Sequence, residues 1–188
     1  MTYPLRILAL AILTTLALAY MIWDRATLLA HGRVVTLAVE PVDPQDLFRG
    51  DYVVLTYPMS RLDLNAIAGI DKVYTGQTVY VVLQSAGEDW KAIRVEASLP
   101  TLSDPNHAVI RGEVTSHYAQ SVDSKVSDMV TIQYGIESFF VPQGQGKPIE
   151  TQRNERTVTV DVALGPDGRA AIKRLRVGGQ PVFEETLF

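Results

Sequence analysis

The sequence predicts a mainly β protein, an antiparallel sandwich or barrel with one or two short helices, preceded by one N-terminal transmembrane helix. Three observations predict it. An apolar run extends from Leu5 to Trp23 with Arg6 as its single charge. The rest of the chain is a series of short segments rich in Val, Ile, Thr and aromatic residues, punctuated by Gly, Pro, Asn and Asp. Long helical patterns do not alternate with those segments, which argues against a parallel α/β sheet.

The apolar run comes first. Its 19 residues rise about 28 Å as a helix, close to the ~30 Å of a hydrocarbon core. Arg6 precedes the run and Trp23 with Asp24 closes it, which favours a cytoplasmic N-terminus at residues 1–4 and an exported C-terminal domain. Arg25 and Arg33, just beyond the run, oppose that bias. Ala17-Leu18-Ala19 also fits a signal-peptide cleavage site, and a buried core helix is the third alternative. Residues 24–32 are expected to form a short juxtamembrane connection, and 33–188 one extracytoplasmic domain.

Within that domain, Arg33–Glu40 alternates with Val35, Leu37 and Val39 on one face. Pro41 and Pro44 then exclude helix. Gly50 permits a sharp entry into a strand over 51–57, and Asp51 can accept amide hydrogen bonds that fix the turn. Alternation places Val53, Leu55 and Tyr57 on one face of it and Tyr52, Val54 and Thr56 on the other, as for a central strand covered on both sides. Ser60–Ile70 is the candidate short helix. Gln77–Ser85 and Trp90–Ser98 read as a hairpin, and Ala108–Ser116 as a further strand. Residues 117–127 are polar and read as a surface loop.

Met129–Tyr134 and Glu137–Val141 read as strands broken at Gly135. The stretch 142–147 reads as a loop and Pro148–Asn154 as a turn of helix. Arg156–Leu164 and Arg169–Val177 flank Gly165-Pro166-Asp167-Gly168, the clearest hairpin signal in the chain. A short strand follows Gly178-Gly179, for about eight or nine strands in all.

Composition removes several function classes. There is no cysteine, so disulfides, thiolate metal sites and cysteine catalysis are excluded. A formal net charge of −4 gives no footprint for nucleic acid. His31, His107 and His117 are too far apart in sequence to suggest a shared metal, and no cofactor is expected. There is no GxSxG elbow or phosphate loop, and Ser60, Ser124 and Lys125 show no dyad spacing. Asp43, Asp46 and Asp51 cluster, but turn-forming roles explain them. The candidate binding residues are Arg49, Asp51, Tyr52, Glu137 and Phe140. Of the neighbours Phe139 and Phe140, alternation sends one towards the core and the other outward.

Gly50-Asp51-Tyr52-x-x-Leu55-x-Tyr57 resembles, at every specified position, the motif for which the GDYXXLXY family is named. Pro44–Arg49 resembles its lead-in, and Tyr134–Gly146 its second typical stretch, with Gln143 where a glutamate is common. The resemblance implies a membrane-tethered bacterial domain often associated with polytopic membrane proteins, and no catalytic residues. Two functions are therefore expected to compete. One is a tethered binding or assembly module working with an integral membrane partner. The other is an envelope hydrolase or small-ligand-binding domain with a cleft near Asp51 and Glu137.

Overall fold

A computed structural model describes residues 3–40, 52–70, 72–87, 89–122, 125–140 and 158–185. The apolar run forms α1 (Tyr3–His31), which is followed by β1 (Arg33–Ala38), β2 (Tyr52–Val54), β3 (Arg61–Asp63), β4 (Ala68–Gly69), β5 (Thr78–Ala86) and β6 (Asp89–Glu96). Then come β7 (His107–Val122), β8 (Lys125–Gln133), β9 (Ser138–Phe140), β10 (Val158–Leu164), β11 (Ala170–Val177) and β12 (Gln180–Glu184). The expected mainly β, antiparallel class, preceded by one long apolar helix, is the one observed.

The strands make a six-stranded sheet in the order β3-β8-β7-β5-β6-β4, a four-stranded sheet β1-β10-β11-β12 and the two-stranded ribbon β2-β9. Among the described residues every strand pairing is antiparallel except β4 with β6. One core joins the sheets. Val35 and Leu37 of β1 alternate inward as the sequence predicts, meeting Val79, Val81 and Leu83 of β5, Ile110 of β7, Ile132 of β8 and Val160 of β10. Each such side chain, fully buried, contributes roughly 1.5–3 kcal/mol.

Four local expectations are corrected. Ser60–Ile70 is not a helix: a single 3-10 turn at Pro58–Ser60 leads into β3 and β4, because Leu62 and Ile67 gain more by packing on the core than a short helix gains by itself. Residues 117–127 are not a loop, since β7 and β8 continue as a long hairpin through Val122 and Lys125. His117, Tyr118 and Ala119 are all exposed there, and the polar sequence carries no apolar period to announce a strand. The strand expected at 51–57 is regular, among the described residues, over Tyr52–Val54, where it pairs with β9, and then touches β1's extension through a Glu40–Thr56 bridge. Among the described residues there are twelve strands, the additional ones being only two or three residues long. The expected loop at 142–147 and turn at 148–154 lie outside the described residues.

The largest departure is at the helix. Residues 24–31, expected as a connection, continue α1 without a break to His31. Leu29 is 3% exposed and the last turns pack on β10 and β11. Gly32 makes the abrupt exit possible: its amide donates to the Leu28 carbonyl at 2.8 Å, and a Cβ there would lie 2.4 Å from that oxygen and 3.0 Å from Ala163. Helix therefore passes into strand with no linker between them.

A second polar feature invisible in the sequence is Asp161, 1% exposed. Its carboxylate accepts from Thr36 Oγ1 at 3.0 Å, Arg176 Nε at 2.9 Å and Arg174 Nη1 at 3.4 Å. A buried charge is tolerated only when paired in this way, and here the pairing ties β1, β10 and β11 together.

Candidate functional site

Gly135 adopts φ +78°, a left-handed conformation that suits glycine, and turns the chain out of β8. The Glu137 carboxylate secures this turn, accepting from the Tyr134 amide at 2.6 Å and the Gly135 amide at 2.9 Å. The chain then runs antiparallel to the 52–54 segment, with Tyr52 opposite Phe140, Val53 opposite Phe139 and Val54 opposite Ser138. The Leu55 amide extends the ribbon by donating to the Glu137 carbonyl at 2.8 Å.

Two tyrosines clasp the segments from inside. Tyr57 is 1% exposed and its hydroxyl donates to the Ile136 carbonyl at 2.7 Å. Tyr134, also buried, donates to the Met59 carbonyl at 2.6 Å. Each segment thus satisfies a backbone oxygen of the other. Burial, reinforced by the charge of Glu137, pushes both phenols well above their usual range. They are neutral donors, unsuited to acting as bases or nucleophiles.

The sequence-derived candidates divide accordingly. Tyr52 and Phe140 are backbone neighbours at one end of the ribbon. Glu137 lies at the other end with both carboxylate oxygens engaged by amides. Arg49 and Asp51 lie outside the described residues, as do Asp43 and Asp46. Phe139 packs on the core, its ring 6.2 Å from that of Phe183. His107 begins β7 and His117 lies within it, 2.7 Å from Asp128 across the hairpin, so His117 is in a strand and not in the loop expected over 117–127. Among the described residues no three His, Asp or Glu side chains could hold a metal.

Two crevices flank the clasp. One is largely apolar, lined by Leu37, Tyr57, Met59, Leu62 and Trp90; Arg33 lies over the Trp90 ring at 4.9 Å. The other, at the foot of α1, is polar and lined by Asp24, Arg25, Leu28, Arg111, Tyr134 and Arg169. Arg169 Nη2 donates to Asp24 Oδ1 at 3.0 Å, its Nη1 bonds the other oxygen, and Nε reaches Asp167 at 2.5 Å. Partial burial raises the Asp167 carboxyl, but the amide, hydrogen bond and charge of Arg169 outweigh it and hold the group below its ordinary value. None of Asp24, Arg111 or Arg169 was a sequence candidate. The turn at 165–168 marked the place where Arg169 lies, but no local pattern pairs it with a residue 145 positions away.

The fold and these contacts define a class: a β domain clamped to the end of one helix that is long and apolar enough to cross a membrane. The GDYXXLXY protein family matches residues 14–175, and the chain belongs to that family. No curated protein and no solved structure matches it.

Proposed function

We propose that the chain is a membrane-tethered binding or assembly module, anchored in the bacterial inner membrane by α1 with its β domain in the periplasm or extracytoplasmic space, and that it works with an integral membrane partner. The observation that carries this reading is the unbroken passage of α1 from the apolar run into the domain. A domain joined without a linker stays within reach of the bilayer surface, where tethering raises its effective concentration towards a membrane-embedded partner. The residues assigned to that partner are Tyr52 and Phe140, paired at one end of the β2–β9 ribbon, together with Arg49 and Asp51, which precede Tyr52 in the sequence. Glu137 acts there by position, holding the turn.

The competing hydrolase or small-ligand reading draws no support from Glu137, whose carboxylate is already committed to two amides. Cross-linking of full-length protein in native membranes, followed by affinity capture, tests the assembly reading. An integral membrane protein should be captured by the wild type and lost in Tyr52→Ala and Phe140→Ala. Capture unchanged in both variants would move the interface elsewhere, and no membrane partner in any sample would sink the proposal. Intact mass separates a retained anchor from cleavage after Ala19, which would leave a chain beginning at Tyr20.

A further inference from the structure

We infer that the polar crevice at the foot of α1 binds the phosphodiester of an anionic phospholipid headgroup; this rests on α1 spanning a membrane. Depth is the first argument. Asp24, on the crevice wall, immediately follows Trp23, and Leu28 lies about 6 Å further along the helix axis. The headgroup layer on each side of a bilayer is roughly 5–8 Å thick. With Trp23 at the interface, the crevice and the headgroups occupy the same level.

Donor chemistry is the second argument. Arg111 is exposed and its guanidinium has no hydrogen-bond or ion-pair partner among the described residues. Arg25 has only a loose pairing, 3.6 Å from Glu185. Arg169 is fixed in its plane by Asp24 and Asp167 through one N–H from each nitrogen, so one N–H on each Nη is still available. Arg25, Arg111 and Arg169 line one crevice, and planar guanidinium donors match phosphate oxygens.

The charges also select among lipids. Asp24 and Asp167 are bonded to Arg169, and Glu185 faces Arg25. These carboxylates are already paired, so an ethanolamine or choline ammonium would find no partner of its own here. A phosphatidylglycerol-type headgroup, carrying net negative charge and hydroxyls, meets the walls without that conflict.

Full-length protein is extracted in mild detergent, supplied with phosphatidylglycerol or phosphatidylcholine, and examined by native mass spectrometry. The wild type should retain phosphatidylglycerol over phosphatidylcholine. Arg111→Gln should retain about fivefold less, the effect of one arginine at an anionic headgroup. Arg61→Gln, an exposed arginine outside the crevice, should match the wild type. Equal retention by the wild type and Arg111→Gln, or equal loss in both variants, overturns the proposal. Displacement by millimolar inorganic phosphate would make this a soluble-phosphate site and overturn the lipid assignment. Arg25→Gln decides the matter if Arg111→Gln melts early. Alkaline extraction of membranes reports separately on the anchor: protein that stays in the pellet but fails the lipid test loses the crevice proposal alone.

Discussion

The clasp around β2–β9 and the foot of α1 are both polar contacts that join distant parts of the chain, but they are built from opposite materials. The clasp uses neutral hydroxyls buried against carbonyls. The foot uses charged groups of which Arg169, Asp24 and Asp167 are all substantially exposed. Buried neutral hydrogen bonds are costly to break because the orphaned partner has no water. Exposed ion pairs contribute little to stability, since solvent screens them and replaces what is lost. The difference teaches that the clasp should weigh most on the stability of the fold, whereas the foot should weigh most on the angle at which the domain meets its helix.

The largest effect should follow from removing a clasping ring. Tyr57→Ala empties a core position and leaves the Ile136 carbonyl unpaired, at a cost of roughly 3–5 kcal/mol. Urea unfolding of the full chain in detergent, followed by circular dichroism, measures it. A loss below about 1 kcal/mol, at the scale of one net hydrogen bond, would show that the clasp is not a stability element. Tyr134→Phe keeps the ring and removes only the hydroxyl, so the cost falls to roughly 1–3 kcal/mol. Glu137→Gln retains one acceptor for two amides and should cost about 1 kcal/mol, with the Gly135 turn exchanging its amide protons faster.

At the foot the order of readouts reverses. Arg169→Gln should leave the unfolding midpoint almost unchanged but broaden the distance distribution between spin labels on α1 and on β5. A sharp distribution in that variant would mean that Leu29 and Gly32 fix the angle without the ion pairs. The smallest effect is that of pH. The Asp167 carboxyl is depressed in the folded protein, so its contribution is fully present above the unfolded value near 3.8 and is lost as pH falls through the lower folded value. The same label distances should therefore hold from pH 7 to about pH 5 and begin to spread only below about pH 4.

Much of the architecture was legible because it is local. The GPDG hairpin, the alternation in β1 and the pair β5–β6 follow from turn chemistry and period-two burial between neighbouring segments of the chain. Leu55 and Tyr57 were readable as one inward face for the same reason. The β7–β8 arm from His117 onward was not legible, because His117, Tyr118 and Ala119 are all exposed and a strand segment of that kind has no apolar period. The additional helical residues 24–31 were hidden by the charged pair Asp24-Arg25, which looks like the end of a span until Arg169 is seen beside it.

At the candidate site, sequence singled out Glu137, Tyr52 and Phe140 through the two motif blocks but gave no means of assigning their roles. That Glu137 caps a turn depends on the φ of Gly135. That position 52 faces position 140 depends on a register between segments more than eighty residues apart.

By itself, the sequence determined the apolar helix, the β class, the family and the absence of cysteine chemistry, all properties of composition and short-range pattern. Tertiary structure alone decided that Tyr57 and Tyr134 exchange hydrogen bonds with each other's segments, and that Asp24 meets Arg169. The physical reason is that such pairings are set by how sheets stack and where a helix ends, and neither leaves a mark on the residues next in the chain.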